Sequence, residues 1–425
     1  MTMGSSWSHR RPLPEPAAAG AGSADRLAAS GPEGLRGAPI RQAAACSSPA
    51  SIYLNNAAEG WPKAPGVAQA VHESLEQPPS SAGRVAGSGA GSAAECRRRI
   101  AGLLAVPDPR RIVLTTSATH ALNLAIHGVG LQDRAVVITT VTEHNSVLRP
   151  LFRLEREGRA RIITIGLNAD GGLDGEAFER ALSGRPRLVA INHASNVTGR
   201  IHSVERLFAW AKDAGAVTLL DASQTVGHVP VLPWQLGADI VAFPGHKGLH
   251  GPSGTGALYV APHVELAPLI VGGTGYQSQS RQHPEKMPGR LEAGTPNEPG
   301  LAGLAAALAW HGENGAEFRC RSQEAGRLLR EGLRSIAKVR LLDDGPEAER
   351  ISVVSFVVRE WPVDEAGIAL LESFGVMCRT GLHCAPLIHE GLGSAAEGTI
   401  RLSASGFNTR AEIQAAVTAI RRLAG

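Results

Sequence analysis

The strongest constraint on the fold is an alternation of short apolar runs with amphipathic segments between residues 111 and 260. The runs RIVLT, AVVITT, RIITIGL and AVTLLD have the length of strands, and the segments between them carry the apolar spacing of helices. Strands that alternate with helices form parallel sheets whose two faces are covered. The sequence therefore predicts an α/β fold built on a mostly parallel sheet.

The length of 425 residues exceeds what one hydrophobic core usually holds, so we expect two domains. Residues 1–50 have almost no large apolar side chains, which predicts a disordered tail. Residues 51–294 form the predicted large domain, whose first residues contribute to the small one. Residues 295–425 form a predicted smaller α+β domain of two helices, the strands KVRLL and RISVVSFVV, and the helix DEAGIALLESFG.

Charge and composition argue against two classes of partner. The formal net charge is +3 and aromatic residues make up 4% of the chain, so no basic surface for nucleic acid is expected. The apolar run from Leu301 to Trp310 is shorter than the ~20 residues that span a bilayer, so no membrane partner is expected. The five cysteines lack the paired spacing of disulfide frameworks and zinc sites, which favours a cytoplasmic protein without a metal.

Polar residues follow the apolar runs where the predicted strands end. They are Ala118 and Thr119 after RIVLT, His144 after AVVITT, Asn196 after RLVAI, Asp221 and Gln224 at the end of AVTLLD, and Lys247 after IVAF. Open α/β sheets bind ligands at the carboxyl ends of their strands, so we expect these residues to meet at one edge. Taken singly, each has an ordinary explanation: Thr119, His144 and Asp221 could be helix caps, and Lys247 could be a surface lysine.

Together these side chains suit one cofactor. A lysine desolvated at a pocket wall has a lowered pKa and can form a Schiff base with an aldehyde. An acid at Asp221 can pair with a protonated pyridine nitrogen, which makes the ring an electron sink. A helix that begins at Ala118 and Thr119 can bind phosphate, and the imidazole of His144 can stack on the ring. Pyridoxal phosphate (PLP) meets all four conditions.

Seven stretches carry a resemblance to a known family: TTSATHALNLAI, EHNSVL, NHASNVTG, LLDASQTVGH, GHKGLHGPSGTGALY, RLEAGTPN and VMCRTGLHCAP. They resemble the class V, fold type I PLP enzymes, and within them the cysteine desulfurase and selenocysteine lyase family. The resemblance runs from about Tyr53 to the C-terminus. It implies a large domain with a mostly parallel seven-stranded sheet, a smaller α+β domain, and a homodimer with the site at its interface.

The resemblance also implies roles for the residues at the strand ends. Ala118, Thr119 and His246 would bind the phosphate, His144 would stack on the ring in the catalytic set, Asn196 and Gln224 would contact the ring oxygen and the substrate, Asp221 would pair with the ring nitrogen, and Lys247 would hold the cofactor covalently. Two positions depart from the family pattern. Pro244 stands where relatives usually have a Ser or Thr that bonds the phosphate, and Gly83 stands where several relatives have a histidine.

The C-terminal third carries the residues expected to act on the substrate. Arg401 resembles the arginine that grips the substrate carboxylate in this family, and a guanidinium fork suits that bidentate contact. Arg379 resembles a second substrate contact. Cys378 lies in the apolar run GVMC, which is typical of a small buried hydrophobe.

Cys384 differs from the other cysteines in its surroundings. It lies in a predicted loop with Arg379, His383 and His389 nearby in sequence, and such neighbours favour the thiolate. The resemblance matches it to the persulfide-carrying cysteine of the family. The short connection into CAP resembles the subgroup whose cysteine lies on a short, restrained loop and which needs an acceptor protein for its sulfur.

The reaction implied by the resemblance converts L-cysteine to L-alanine and leaves the sulfur on Cys384 as a persulfide. Three alternatives stay open. The first is a selenocysteine lyase, which would act on L-selenocysteine with the same residues. The second is a class V aminotransferase or epimerase that needs Lys247 but not Cys384, and the third is a PLP-binding partner without turnover.

Overall fold

The computed structural model describes residues 51–78, 91–275, 279–346 and 349–425. The predicted disordered tail, residues 1–50, and the family departure at Gly83 lie outside the described residues. The disordered tail therefore stays a prediction.

The strands and helices are numbered in chain order. The strands are β1 Ile52–Tyr53, β2 Ile112–Thr115, β3 Ala135–Thr140, β4 Ala160–Ile165, β5 Leu188–Asn192, β6 Val217–Asp221, β7 Ile240–Pro244, β8 Gly256–Val260, β9 Val339–Leu341, β10 Val353–Val358, β11 Val376–Met377, β12 Arg379–Gly381 and β13 Thr399–Ser403. The helices are α1 Val67–Glu76, α2 Ser92–Leu103, α3 Ala118–Gly128, α4 Asn145–Arg156, α5 Gly175–Leu182, α6 Val204–Asp213, α7 Pro233–Leu236, α8 Glu298–Arg334, α9 Val363–Phe374, α10 Pro386–Gly391 and α11 Arg410–Ala424.

The described residues contain a seven-stranded sheet in the order β2-β8-β7-β6-β5-β3-β4. The strands from β7 to β4 pair in parallel, while β8 runs antiparallel to both of its neighbours, β2 and β7. The prediction of a mostly parallel seven-stranded sheet is therefore confirmed.

Alternate side chains of the central strands enter two separate cores. Leu188 and Ala190 of β5 pack with α3 and α4 on one face, and Val189 and Ile191 pack with α2, α5 and α6 on the other. Every residue of β5 and β7 is buried, as expected for strands covered on both faces. Each large apolar side chain in these cores contributes roughly 1.5–3 kcal/mol by leaving water.

The register of the parallel strands aligns their carboxyl ends. Asn192, the last residue of β5, pairs with Asp221, the last residue of β6, and Asp221 pairs with Ala242 of β7. Side chains alternate between the two faces of a strand, so a slip of one residue would move Asp221 to the opposite face. The register thus fixes the position along the strands at which the polar residues follow the strand ends.

A second, antiparallel sheet lies in the C-terminal third, in the order β12-β13-β10-β9. Its core includes Leu329 of α8, Leu370 of α9 and Ile420 of α11. The short strand β1 pairs in parallel with β11, so the first described residues join the C-terminal part of the chain. The domain division predicted at residues 294 and 295 stays a prediction.

The prediction of two helices in this part of the chain is wrong, because α8 is one continuous helix of 37 residues. The segment WHGENGAEF suggests a break, since a glycine inside a helix costs about 1 kcal/mol relative to alanine. Aromatic packing offsets that cost. The ring centroids of Trp310 and Phe318 in α8 lie 5.5 Å apart, edge to face, and the ring centroids of His250 and Phe318 lie 5.2 Å apart. The first turns of α8 join the core of the large sheet and its last turns join the core of the small one.

Two further features concern the described residues as a whole. No helix in these ranges combines the length and the apolar character that a membrane crossing requires. The four cysteines among them, Cys96, Cys320, Cys378 and Cys384, are all free thiols. The cytoplasmic location stays a prediction.

Buried histidines make the fold sensitive to acid. Burial lowers the pKa of each of five histidines to about 3 or 4: His193, His202, His228, His250 and His311. Histidines of the unfolded chain titrate near ~6.5, so between that pH and about 4 the unfolded state binds more protons and stability falls as the pH falls. Carboxyls with a raised pKa, such as Glu143, act in the opposite direction but are fewer.

We expect the free energy of unfolding to fall between pH 7 and pH 5, with on the order of 1–2 kcal/mol from each buried histidine. His311→Gln should reduce this pH dependence by about that amount, because a buried neutral amide does not titrate. Urea unfolding at both pH values measures it, and His72→Gln, at an exposed position of α1, is the matched control. A pH dependence that His311→Gln leaves unchanged would contradict the assignment.

Candidate active site

A cavity of about 210 Å³ lies at the carboxyl ends of the parallel strands. Ten of the eleven residues singled out in the sequence line it: Ala118, Thr119, His144, Asn196, Asp221, Gln224, His246, Lys247, Arg379 and Arg401. The eleventh, Cys384, lies beside the cavity in contact with Arg379. The strand-end residues therefore meet at one sheet edge, as the sequence predicts.

Lys247 is placed at the cavity wall by the turn that follows β7. The backbone of Gly60 packs on this turn and donates a hydrogen bond to the carbonyl of His246 at 2.7 Å. A Cβ at residue 60 would lie only 2.5 Å from the carbonyl oxygen of Lys247, so the close approach requires glycine. Burial lowers the pKa of Lys247 to about 8, while the carboxylate of Asp221 opposes that shift. A larger fraction of this amine is therefore deprotonated at neutral pH than of an ordinary lysine.

Asp221 ends β6 and is 6% exposed. Its Oδ1 accepts a hydrogen bond from the backbone N–H of Ser223 at 2.9 Å, so the carboxylate caps the turn and also lines the cavity. Burial raises its pKa, and the bond from Ser223 and the charge of Lys247 oppose the rise. A positive group in the cavity would favour the charged form of this acid.

His144 caps α4 and faces the cavity at the same time. Its Nδ1 accepts the backbone N–H of Ser146 at 3.0 Å, so the proton of the neutral ring lies on Nε2. Burial, together with the charges of Lys247, Arg379 and Arg401, lowers the pKa of His144 to about 3. The ring is therefore a neutral, flat, fixed surface over part of the cavity.

The hydroxyl of Ser146 links two helix starts. Its Oγ lies 3.0 Å from Nδ1 of His144 and 2.8 Å from Oγ1 of Thr119, the second residue of α3. Sequence reasoning missed Ser146, although its place two residues after His144 in the first turn of α4 was a usable signal. It also missed Asn55, which is discussed with Arg401 below.

The start of α3 forms one end of the cavity. Ser117 caps the helix by accepting the N–H of His120 at 3.1 Å, and Ala118 and Thr119 follow it into the cavity lining. Unpaired N–H groups and the helix dipole make such an end favourable for phosphate. Pro244 lines the cavity here without a hydroxyl or N–H to donate, so the structure keeps the departure seen in the sequence.

Arg401 brings an uncompensated positive charge to the other end. It is 1% exposed on β13, and its Nη1 and Nη2 donate to the Asn196 carbonyl at 3.0 Å and to Asn55 Oδ1 at 3.2 Å. Its Nε has no hydrogen-bond partner among the described residues. Burial, followed by the charge of Arg379, lowers the pKa of Arg401 to about 9. Two neighbouring guanidinium groups in this state favour a carboxylate ligand.

The two amide side chains of the site are already partly engaged by the protein. Gln224 donates Nε2 to the carbonyl of Ala57 at 3.0 Å, and Asn196 donates Nδ2 to the carbonyl of His383 at 2.7 Å. Asn196 Oδ1 is buried without a partner in the described part of the chain. The oxygen of Asn196 is therefore free to accept a hydrogen bond from a ligand.

Cys384 lies in a tight turn between β12 and α10. His383 and Cys384 have φ values of 50° and 59°, a left-handed conformation that costs roughly 1–2 kcal/mol for residues with a Cβ. Arg379 Nη2 lies 3.3 Å from the sulfur. Of the three neighbours expected to act on this thiol, only Arg379 contacts it: His383 Nε2 bonds Thr399 Oγ1 at 2.9 Å, and His389 Nδ1 bonds Ser394 Oγ at 2.8 Å. Each imidazole instead occupies a buried position with its own hydroxyl partner, and His383 also lines the cavity.

Two further groups near the site have shifted pKa values. Glu143 is fully buried, and its Oε1 accepts hydrogen bonds from Thr140 Oγ1 at 2.8 Å and from the N–H of Asn192, a cavity-lining residue, at 2.9 Å. Burial raises its pKa to about 8. The sequence analysis did not single it out. Cys378 packs against the small core, and burial raises its pKa to about 11, so it stays a thiol at neutral pH.

These residues fit PLP in charge and in hydrogen bonding. Several buried polar atoms have no hydrogen-bond partner among the described residues. They include Asn196 Oδ1, His246 Nδ1 and Arg401 Nε, and these three residues line the cavity. Buried polar atoms are rarely left unpaired in proteins, so their clustering indicates a polar ligand. An amine, an acid and a helix start around one cavity match the aldehyde, ring nitrogen and phosphate of PLP.

Comparisons with known proteins give a consistent result. A family model described as Aminotransferase class-V matches residues 52–416. A probable cysteine desulfurase of Methanothermobacter thermautotrophicus is 32% identical, over 78% of this chain and 83% of the relative. The cysteine desulfurase CsdA of Escherichia coli is 33% identical, over 77% of this chain and 81% of the relative.

Solved structures agree with these relatives. The apo structure of the cysteine desulfurase from Thermococcus onnurineus NA1 is similar with a TM-score of 0.81 and 31% identity, over 88% of this chain and 94% of that chain. The S-sulfonic acid form of CsdA from Escherichia coli has a TM-score of 0.78 and 29% identity, with the same coverage of 88% and 94%.

The carboxylate of Asp221 stabilises the charged form of Lys247. Asp221→Asn should therefore lower the pKa of Lys247 further below its ordinary range. The pH dependence of Lys247 modification by an amine-directed reagent, followed by peptide mass spectrometry on protein freed of cofactor, measures this shift. Asp213→Asn, an exposed acid at the end of α6, is the matched control. An unchanged or higher midpoint in Asp221→Asn would show that the two groups do not interact.

Proposed function

The chain belongs to the class-V aminotransferase family and, within it, to the cysteine desulfurases, and we propose that it converts L-cysteine to L-alanine with Cys384 as the first acceptor of the sulfur. The contact that supports this most directly joins the thiol to the cavity. Arg379 lines the same cavity as Lys247 and lies 3.3 Å from Cys384 Sγ. An aminotransferase or an epimerase has no use for a thiol at that position.

PLP is the proposed cofactor, and when bound it supplies an aldehyde for the substrate amine and a ring that accepts the electrons of breaking bonds. The start of α3 with Ala118 and Thr119 would hold the phosphate, with His246 Nδ1 as a further partner. Asp221 would hold a proton at the ring nitrogen, since its buried carboxylate needs a positive partner. His144 would cover the ring face, and Gln224 and Asn196 Oδ1 would contact polar atoms at the ring edge and on the substrate.

Lys247 is the proposed base for the Cα proton of the substrate. Its pKa of about 8 lies close to neutral pH, where general acid–base catalysis works best. After it has taken the proton, the same ammonium group can return a proton to the carbon that loses sulfur. The neutral His144 carries its proton on Nε2, and that atom can exchange a proton with the substrate thiol.

The sulfur step balances with Cys384 as nucleophile. The Cys384 thiolate attacks the substrate sulfur, an S–S bond forms, the Cβ–S bond breaks, and its electron pair stays with the carbon fragment that becomes alanine. The substrate sulfur is oxidised to the sulfane level while Cβ is reduced to a methyl group. Arg379 Nη2 lies 3.3 Å from Sγ, so the guanidinium contacts the atom that would take the sulfur.

Two partners complete the proposal. An acceptor protein must remove the sulfur from Cys384, because the persulfide would otherwise block the next turnover. A homodimer is supported by three consecutive exposed apolar residues, Leu269, Ile270 and Val271, which precede the glycine-rich stretch at residues 272–275. Exposed apolar stretches of this kind are typical of subunit interfaces.

Cys384 does not line the cavity itself, and this favours L-selenocysteine as a second substrate. The C–Se bond is weaker than the C–S bond, and selenium is released at the zero-valent level more readily than sulfur. A selenium substrate could therefore react in the cavity without the thiol: the C–Se bond breaks, its electron pair stays with Cβ, which becomes the methyl group of alanine, and selenium leaves oxidised to the zero-valent level.

Cys384→Ala should bind PLP normally and should lose the desulfuration of L-cysteine, because no thiol remains to take the sulfur. We expect substantial activity on L-selenocysteine to persist in the same variant. Alanine and reducible sulfur are measured together, and mass spectrometry locates the added sulfur on the wild-type Cys384 peptide. Cys378→Ala, six residues earlier and half-buried, is the control and should behave as wild type. Undiminished alanine formation in Cys384→Ala would favour the aminotransferase or epimerase alternative.

Arg401→Lys keeps the charge and loses the bidentate fork, so it should raise the KM for L-cysteine by about ten- to a hundredfold, the range for a lost bond to a charged group. Discrimination between L-cysteine and cysteamine, which lacks the carboxylate, should shrink by a similar factor. Steady-state kinetics with both compounds measure it, with the exposed Arg421→Lys as control. An unchanged preference for L-cysteine would remove Arg401 from the carboxylate site.

A further inference from the structure

The turn that carries Cys384 is unfavourable by itself and is held by several bonds from outside it. His383 and Cys384 are adjacent residues with left-handed backbone angles, and neither is the glycine or asparagine that adopts them easily. A turn of this kind persists only where its surroundings fix it. The bonds around the turn therefore decide where the sulfur lies.

Two of these bonds hold the backbone carbonyls of the turn. Asn196 Nδ2 donates to the carbonyl of His383 at 2.7 Å, and the N–H of Asn145 donates to the carbonyl of Cys384 at 2.7 Å. Asn145 is the first residue of α4, and its N–H has no partner within its own helix. Asn145 follows β3 and Asn196 follows β5, so both donors lie at the carboxyl edge of the large sheet and the turn is attached there.

A third bond holds the side chain that precedes the cysteine. The ring of His383 is 2% exposed, and its Nε2 lies 2.9 Å from Oγ1 of Thr399, the first residue of β13. Thr399 is fully buried. Burial and the nearby charge of Arg401 lower the pKa of His383 to about 2, so the ring is neutral and acts as a strut between the turn and the small sheet.

We propose that His383 is a positioning residue whose bond to Thr399 keeps Cys384 in the left-handed turn against Arg379 and limits access to its sulfur. This rests on the proposed role of Cys384 as the sulfur carrier. The turn is held at the carbonyls of His383 and Cys384 and at the His383 ring. As long as these three hydrogen bonds persist, the turn cannot move the sulfur outward. The acceptor must therefore reach the sulfur where it lies, or release the turn by displacing His383.

Thr399→Val tests the strut, because valine keeps the shape of threonine and removes the hydroxyl. Alkylation of Cys384 by iodoacetamide in the PLP-loaded protein should become about two- to tenfold faster, the range for the loss of one net hydrogen bond. Peptide mass spectrometry follows Cys384 and Cys378 together, and measurements from pH 7 to pH 9 separate access from ionisation. Thr380→Val, on the neighbouring strand with its methyl against Gly367, is the matched control.

An unchanged rate at Cys384 in Thr399→Val would overturn the proposal, and so would an equal rise at Cys378, which would indicate general loosening. His383→Asn is the second variant, since asparagine accepts the left-handed backbone but cannot reach Thr399 in the same way. It should accelerate alkylation at Cys384 as well, and a rate equal to that of the wild type would contradict the strut. Alkylation reports access to the thiol alone, so a failure of Cys384 to carry sulfur would appear only in the sulfur measurement on Cys384→Ala.

Discussion

Hydrogen bonds between β5, β6 and β7 hold the whole site in register. They set Asn192, Asp221 and Ala242 side by side, and Lys247 follows β7 by a turn of only a few residues. The strands are buried on both faces, so the register is fixed by packing on two sides. A displacement of one strand would move the acid away from the amine and would bury polar residues in an apolar core.

Positive charge exceeds negative charge at this edge. Lys247, Arg379 and Arg401 line the cavity, and Asp221 is the one acid among its described lining residues. Unmatched buried charge is costly, and the lowered pKa values of Lys247 and Arg401 express that cost. A phosphate and a carboxylate would restore the balance, so ligand binding should stabilise the fold by linkage. One of these guanidinium groups, that of Arg379, also contacts the Cys384 sulfur at 3.3 Å.

Much of the site could be read from the sequence because strand ends meet wherever parallel strands pair. Asp221 and Lys247 each follow an apolar run, so their meeting needed no knowledge of distant contacts. The orientation of His383 was different, since its partner Thr399 comes from another strand and the sequence placed the ring beside the thiol instead. Asn55 was missed for the same reason: its contact, Arg401, lies 346 residues away. The continuity of α8 depended on aromatic packing from other segments, which local propensity does not contain.

The pairing of β1 with β11 has a consequence for the order in which the chain is made. Asn55 and Ala57 follow β1 and contact Arg401 and Gln224, yet β1 has its strand partner only at Val376 and Met377. A ribosome releases the first of these segments more than three hundred residues before the second. The parallel strands can pair during synthesis, whereas the wall that contains Asn55 can close only when translation is almost complete. The cavity therefore gains the wall formed by Asn55 and Arg401 only at the last stage of synthesis.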